Sequence, residues 1–245
     1  MRGGGAPRTH KTMKLLLVGL VLAQTVTPAP ARIRNRTLPV TGIGTITYGI
    51  SAPADYKASD PRPLVLALHP GGDRVAYYGS RFLEQVVLPG LGDLRAVVVG
   101  PDCPARSWTD PAAERTVMAL LEKVRQEFAI DSRRILVTGF SMGGQGTWFM
   151  SSRHADLFTA AIVMAGPAGG EPLERRGVIP TYIIHSRNDE VVPFAPAERT
   201  ARQLETLGRP VKFEELRGPG HGDMGRYVDA LQRAGRWVAD AWNRK

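Results

Sequence analysis

The sequence has 245 residues, of which 43% are hydrophobic and 22% are charged. This composition is typical of a globular protein and excludes an intrinsically disordered one, and the length suits a single α/β domain. The formal net charge is +9, but the basic residues are scattered and are not interleaved with aromatic ones, so no nucleic-acid partner is predicted. The single cysteine, Cys103, excludes an intramolecular disulfide and is expected to be a small packed residue.

The first 31 residues have the pattern of a secretory signal peptide. Four basic residues and no acidic one accompany an apolar run at 15–23 and small residues ending in Ala-Pro-Ala at 29–31. Met13 is an alternative start, and an uncleaved membrane anchor is the alternative interpretation. The apolar run is far shorter than the roughly 20 residues of a bilayer span. We therefore expect export and cleavage, which leaves one domain over 32–245 without a stable membrane span.

Short apolar runs bounded by turn residues recur along the chain and predict the strands of a sheet. Residues 32–42 are expected to form an exposed arm that leads into a first strand at 44–53. Further strands are predicted at 64–68, 96–100, 134–139, 160–166, 181–186 and 211–218. Most of these runs are continuously apolar, which is typical of parallel strands buried on both faces.

Apolar residues at helical spacing occupy several of the intervals between these strands. One helix is predicted behind Asp110-Pro111, a second between Pro196 and Gly208, and a final one from Met224 to Trp242. The alternation predicts an α/β fold with a mostly parallel sheet and helices on both faces. In such sheets the reactive groups lie at the carboxyl ends of the strands.

The stretch Gly139-Phe140-Ser141-Met142-Gly143 lies between a predicted strand and a predicted helix. A nucleophile on such a sharp turn needs small neighbours, because the backbone there is strained and tightly packed. Ser141 is therefore the candidate nucleophile rather than a surface serine in a glycine-rich loop. The backbone N–H of Met142 would be directed at a developing oxyanion.

A serine nucleophile needs a general base, and in this type of fold the histidine is the last member of the triad along the chain. His221 lies in a glycine-rich loop after the last strand and is the predicted base. His154 follows the serine too closely and is expected at the surface or as a cap. His185 ends a strand and is expected to pack or to form hydrogen bonds near the acid loop.

The acid that orients the base is expected in the loop after the penultimate strand. That loop contains Asp189, which is preferred, and Glu190, which is the fallback. Asp223 lies too near His221 along the chain and is expected to cap the final helix.

The second oxyanion donor is expected in the loop that follows the first long buried strand. Gly71 and Gly72 both lie there, and either can bring a backbone N–H close, since glycine has no side chain. Gly71 is the preferred donor. His69 is expected to hold this loop in shape. No metal-ligand cluster, phosphate loop or dinucleotide fingerprint occurs in the sequence, so neither a metal nor another cofactor is expected.

In combination these motifs resemble the α/β-hydrolase superfamily, in particular the secreted esterases and predicted peptidases related to dienelactone hydrolase, feruloyl esterases and polyhydroxybutyrate depolymerases. The matching pieces are Leu68-His69-Pro70-Gly71-Gly72, Gly139–Trp148, Asp189-x-x-Val192-Pro193 and Gly220-His221-Gly222. The resemblance implies a serine hydrolase with Ser141, Asp189 and His221 as its triad. Two departures occur: His69-Pro70 and His185-Ser186 stand where such proteins usually have His-Gly.

The interval at 165–179 is too short for a helical cap domain, so an open site is expected. Trp108 and Trp148 are proposed to line a substrate pocket, although both could simply pack in the core. The expected substrate is a carboxylic ester, either a small molecule or a polymer. A serine peptidase of the same fold and an exported binding protein with an idle site remain as alternatives.

Overall fold

The computed structural model describes residues 1, 3–5, 32–72, 75–169 and 172–244. Most of the predicted signal peptide therefore lies outside the described residues. Within the described part of the chain, no helix combines the length and the apolar character needed to cross a membrane.

An eight-stranded sheet forms the centre of the protein. Its strands are β1 (Arg34–Val40), β2 (Gly44–Ser51), β3 (Arg62–Leu68), β4 (Val97–Pro101), β5 (Ile130–Phe140), β6 (Ala160–Met164), β7 (Thr181–Ser186) and β8 (Val211–Leu216). The strands are ordered β1-β2-β4-β3-β5-β6-β7-β8 across the sheet. β2 runs antiparallel to both β1 and β4, and all other neighbours are parallel. The predicted mostly parallel sheet is confirmed.

Helices cover both faces of this sheet. The α-helices are α1 (Tyr78–Phe82), α2 (Leu88–Leu91), α3 (Pro111–Glu127), α4 (Met142–Arg153), α5 (Phe194–Thr206) and α6 (Val228–Asn243). A π-helical turn, Leu83–Val87, joins α1 to α2. Buried residues of α1, α2 and α6 share one hydrophobic cluster, whereas those of α3, α4 and α5 belong to two clusters on the opposite face.

The alternation of side chains along β3 shows how the sheet separates these cores. Leu64, Leu66 and Leu68 belong to the cluster that includes α3, and Val65 and Ala67 belong to the cluster that includes α6. All five side chains are fully buried. Because successive residues of a strand point to opposite faces, a strand buried on both sides must be apolar throughout.

Helix boundaries follow local capping chemistry where the sequence supplies it. The Asp110 side chain accepts the backbone N–H of Ala112 at 2.7 Å, and Pro111 occupies the first turn of α3. α5 is followed by Gly208 at a φ of 67°, which suits glycine because it carries no Cβ. Both boundaries agree with the prediction.

The N-terminal segment differs from the sequence prediction. The expected exposed arm at 32–42 is wrong in part, because β1 pairs along its full length with β2. Leu38 and Val40 are buried, whereas Arg34 and Arg36 stay at the surface. All four of these side chains point to the same face of the strand, and the two arginines interrupt the apolar alternation that would have indicated a strand.

Two helical regions also differ from the prediction. The continuous helical stretch 78–94 was not predicted, because Pro89, Gly90 and Gly92 within it are residues typical of loops. The last predicted helix, Met224–Trp242, divides into a 3₁₀ turn at Met224–Tyr227 and α6.

Between β6 and β7, the described residues do not form a cap domain over the sheet. In this interval the described residues, 165–169 and 172–180, contain a single 3₁₀ turn, Leu173–Arg175. The carboxyl ends of the central strands therefore carry loops rather than a helical lid.

Candidate active site

Ser141 lies on the sharp turn between β5 and α4. Its backbone has φ 55° and ψ −116°, a conformation that non-glycine residues rarely adopt. The turn is held by a hydrogen bond from the Ser141 N–H to the Met164 carbonyl on the neighbouring strand, at 2.9 Å. Strain of this kind persists only where the surrounding structure imposes it.

The two glycines of the serine turn are required by close backbone packing. A Cβ on Gly139 would lie 2.3 Å from the Gly143 carbonyl oxygen. A Cβ on Gly143 would lie only 1.8 Å from the Leu68 carbonyl oxygen at the end of β3. The turn can therefore close only with glycine at both positions, as the sequence motif predicted.

Ser141, His221 and Asp189 form a continuous hydrogen-bonded chain. His221 Nε2 lies 2.8 Å from Ser141 Oγ. His221 Nδ1 lies 2.8 Å from Asp189 Oδ2. Because a carboxylate can only accept, Nδ1 carries the proton and Nε2 is free to accept the serine hydroxyl proton. The structure thus brings together all three predicted residues from loops that follow β5, β7 and β8.

The Asp189 carboxylate is buried and fully surrounded by donors. Its Oδ1 accepts the backbone N–H groups of Val191 at 3.0 Å and Val192 at 2.7 Å. Its Oδ2 accepts His221 and lies 3.6 Å from Nε2 of His185. A buried carboxylate needs such partners, since an unpaired one is strongly destabilising.

The other histidines lie outside this hydrogen-bonded chain, as expected. His185 is buried, and its Nε2–H donates to the Val192 carbonyl at 2.9 Å, which supports the acid loop. Burial lowers the pKa of His185 below its usual value and keeps the ring neutral. His154 is half-buried and contacts the Glu114 carboxylate at 2.8 Å.

The two alternative acids have other roles in the structure. Glu190 Oε2 accepts the backbone N–H of His221 at 3.0 Å and does not face the imidazole nitrogens that Asp189 and Ser141 contact. The prediction that Asp223 caps the final helix is wrong. Its carboxylate accepts the N–H of Gly220 at 3.0 Å, so it closes the preceding loop instead.

The two predicted oxyanion donors lie close together. Met142 begins α4, so its N–H has no acceptor within the helix. A Cβ on Gly71 would lie 3.7 Å from the Cβ of Met142, which places the Gly71 backbone beside the start of the helix. Gly72 lies nearer to Tyr78, whose hydroxyl would be 3.1 Å from an added Cβ. This arrangement favours Gly71 over Gly72 as the second donor.

His69 fixes the shape of this loop, as expected. Its Nδ1–H donates to the Pro70 carbonyl at 2.7 Å, and its Nε2 accepts the Cys103 N–H at 3.0 Å. These two bonds require a neutral ring with one defined tautomer. Burial lowers the pKa of His69 below its usual value, which is consistent with the neutral form.

The prediction that Trp108 and Trp148 line a substrate pocket is wrong, because both indoles are buried. Trp108 packs directly against Gly146, where an added Cβ would lie 2.4 Å from the Trp108 Cβ. The Trp108 Nε1–H donates to the His69 carbonyl at 2.9 Å. Trp148, on α4, packs against Val163 of β6 and Leu204 of α5. Close helix–sheet packing, which the sequence does not reveal, removes both from the surface.

A cleft of about 340 Å³ opens beside the serine turn instead. Met142 and Gly71 line it, together with His69 at its base and Tyr78 and Arg106. Neither Tyr78 nor Arg106 was predicted as a site residue, because α1 was not predicted and Arg106 is one of many scattered arginines. In the described part of the chain, no three His, Cys, Asp or Glu side chains are grouped to hold a metal ion.

Comparison with known proteins agrees with this geometry. Residues 105–245, more than half of the chain, match the model of the dienelactone hydrolase family. A probable feruloyl esterase C of Aspergillus niger is 26% identical over 157 residues, which cover 60% of this chain and 56% of that protein. A bifunctional acetylxylan esterase/xylanase of Neocallimastix patriciarum is 28% identical over 151 residues, covering 61% of this chain and 22% of that protein.

Solved structures share the fold. The crystal structure of a thermostable esterase superposes with a TM-score of 0.72 and 28% identity, covering 85% of this chain and 62% of that one. A ferulic acid esterase of Anaeromyces mucronatus, solved in complex with ferulic acid, gives a TM-score of 0.63 at 15% identity, covering 82% and 88%. The sheet order, the serine turn and the family match lead to one conclusion: the chain belongs to the dienelactone hydrolase family and has the α/β-hydrolase fold.

Proposed function

We propose that this protein is a serine-dependent carboxylic-ester hydrolase with Ser141, His221 and Asp189 as its catalytic triad. The observation that carries the proposal is the continuous chain of two 2.8 Å contacts from Ser141 Oγ through His221 to Asp189. A serine, a neutral imidazole and a buried carboxylate in this order are the components of acyl transfer. The esterase names of the relatives support the same chemistry.

In the proposed mechanism, Ser141 Oγ attacks the ester carbonyl while His221 Nε2 takes its proton. Asp189 holds the imidazole by its Nδ1–H and stabilises the imidazolium that forms. The N–H groups of Met142 and Gly71 bind the oxyanion of the tetrahedral intermediate. His221 then protonates the departing alcohol, and a water molecule activated by the same imidazole releases the acid from the acyl-enzyme.

The open site favours soluble or surface-displayed esters over the lipid substrates of lipases that have a lid. The cleft beside Met142 has a volume of about 340 Å³, which suits a small-molecule ester or a chain end of a polymer. The names of the relatives place feruloyl and acetyl esters among the first compounds to assay.

We further propose that residues 1–31 are a signal peptide and that 32–245 form the exported catalytic domain. A relative from Arthroderma benhamiae that is called an uncharacterized secreted protein, 21% identical over 235 residues, supports export. The test is the N-terminal sequence of protein recovered outside the cytoplasm of a secreting bacterial host. Recovery only in the membrane, with the first 31 residues attached, would contradict cleavage.

The activity is tested with Ser141→Ala and p-nitrophenyl acetate. We expect turnover to fall by several orders of magnitude, because the residual rate of a triad enzyme without its nucleophile is small. Equal rates for the variant and the wild type would overturn the assignment. A matched amide substrate separates an esterase from a peptidase, and failure of a fluorophosphonate probe to label Ser141 would indicate an idle binding protein.

A further inference from the structure

Ser186 is the last residue of β7, directly after His185, and the structure gives this serine a definite role. Its side chain is fully buried. The hydroxyl donates to the Pro219 carbonyl at 2.6 Å and accepts the Asn188 N–H at 3.1 Å. Pro219 lies two residues before His221, so Ser186 connects the end of β7 to the loop that carries the proposed base.

Two further side chains of the acid loop contact the same histidine loop. Asn188 Oδ1 accepts the Gly218 N–H at 2.9 Å. Glu190 Oε2 accepts the His221 N–H at 3.0 Å. The contacts therefore come from every second residue, 186, 188 and 190, with Asp189 between the last two. The loop that supplies the acid also holds the backbone of the base.

The histidine loop needs such external support. It contains Gly218, Pro219, Gly220 and Gly222 around His221, so few of its own side chains can anchor it. Gly218 has a φ of 104°, a conformation that most residues do not adopt, and glycine-rich backbone loses much conformational entropy when it is ordered. A loop of this composition stays in one position only when neighbouring elements hold its backbone groups.

We propose that Ser186, Asn188 and Glu190 form a three-point clamp that positions His221 against Ser141 and Asp189; the proposal rests on the proposed function of the triad. None of the three touches the reacting atoms, so they are positioning residues. Ser186 contributes most, because its hydroxyl is buried and its removal leaves the Pro219 carbonyl and the Asn188 N–H without this partner. Asn188 and Glu190 are exposed, and water can partly replace their contacts.

The first test is Ser186→Ala, with Ser51→Ala as its matched control. Ser51 is also a buried serine, but its hydroxyl has no hydrogen-bond partner among the described residues. We expect Ser186→Ala to lower kcat by about 10- to 100-fold with KM nearly unchanged, because small displacements of a catalytic group cost rate rather than binding. Ser51→Ala should keep the wild-type kcat.

A second pair of variants covers the case in which Ser186→Ala does not fold. Glu190→Gln keeps an oxygen that can accept the His221 N–H, whereas Glu190→Ala removes it. Glu190 is exposed, so neither change disturbs the core. The clamp predicts a several-fold loss of kcat for Glu190→Ala and recovery of most of it in Glu190→Gln.

A third measurement reports the position of His221 without relying on turnover. The Nδ1–H that His221 donates to Asp189 is followed by NMR in protein with ¹⁵N-labelled histidine, and its signal is assigned by its loss in His221→Gln. We expect the signal to weaken through faster exchange with water in Ser186→Ala and in Glu190→Ala, and to persist in Ser51→Ala.

The outcomes separate the clamp from the proposed function. If Ser141-dependent turnover is present while Ser186→Ala and Glu190→Ala keep wild-type kcat and the wild-type His221 signal, the clamp is overturned and the function stands. If the wild type shows no Ser141-dependent turnover, the function fails, and the His221 signal alone decides the clamp.

Discussion

Ser141 lies on a turn whose position is set by backbone packing, whereas His221 lies on a loop held largely through side-chain hydrogen bonds. At the serine turn, the backbones of Gly139, Gly143 and Leu68 approach so closely that no Cβ fits. At the histidine loop, a Cβ on Gly222 would meet no atom within 4 Å. Ser141 is thus held by tightly packed backbone, and His221 is placed by side chains of neighbouring loops.

The largest effect that this comparison predicts is for glycine substitutions in the two regions. Gly143→Ala would place a Cβ 1.8 Å from the Leu68 carbonyl oxygen, and we expect a loss of about 4 kcal/mol or more in the free energy of unfolding. Gly222→Ala, the matched change in the histidine loop, should cost less than about 1 kcal/mol. Chemical denaturation of both variants measures the difference, and similar losses would contradict the comparison.

The next largest effect is expected for the acid. Asp189→Asn removes the charge that stabilises the His221 imidazolium and disturbs its tautomer, so kcat should fall by about 10³- to 10⁴-fold. Asp223→Asn is the control, because its side-chain oxygen can still accept the Gly220 N–H and it does not contact the imidazole. Steady-state rates with p-nitrophenyl acetate give both values. A loss in Asp223→Asn as large as that in Asp189→Asn would show that the wrong carboxylate had been assigned.

A smaller effect concerns the pH dependence of the free energy of unfolding. One buried neutral histidine lies near each region. Burial lowers the pKa of His69 beside the oxyanion loop and of His185 beside the acid loop. Below a pH of about 6.5 the unfolded chain therefore binds protons that the folded protein does not bind, and the free energy of unfolding falls as pH decreases. His69 lies near the Asp102 carboxylate, which partly opposes this shift.

The measurement is the free energy of unfolding of the wild type, His69→Gln and His185→Gln between pH 8 and pH 5. Each variant should show a shallower loss of stability at acid pH than the wild type, because one proton-binding site of the unfolded chain has been removed. Equal slopes in all three proteins would mean that neither ring is kept neutral by the fold.

The smallest effect distinguishes two buried tryptophans on the serine side of the molecule. Trp108→Phe leaves the His69 carbonyl without its donor, whereas the Trp148 Nε1–H has no partner to lose among the described residues. We expect Trp108→Phe to destabilise the fold by about 1 kcal/mol more than Trp148→Phe. Thermal unfolding of the pair measures this, and the reverse order would contradict the assigned hydrogen bond.

The contrast between the two regions also explains what the sequence could predict. The serine turn is encoded locally, by two glycines within five residues, and its strand and helix follow from hydrophobic periodicity. The order of Ser141, Asp189 and His221 along the chain identified the residues that the structure brings together. The predicted bounds of β3 and β4 differ from the observed ones by at most two residues, and α3 begins at the predicted Pro111.

Features that depend on distant contacts could not be predicted in this way. The burial of Trp108 depends on the absence of a side chain at Gly146, 38 positions along the chain, and the contact between Ser186 and Pro219 spans 33 positions. β1 was missed because two arginines occupy the face that also carries Leu38 and Val40. The helical stretch 78–94 was missed because Pro89, Gly90 and Gly92 are typical of loops. Sequence patterns report local periodicity, and these features arise only when separate elements meet.

The cleft has a consequence for how selectivity and reactivity can change independently. All of its lining residues except Met142 come from the chain before residue 107, whereas Ser141, Asp189 and His221 all come after residue 140. The lining of the cleft and the proposed triad are therefore encoded in largely separate stretches of the gene. A library confined to the codons for 75–78 and 102–106 would vary the lining of the cleft while it leaves the proposed triad and the proposed oxyanion donors unchanged.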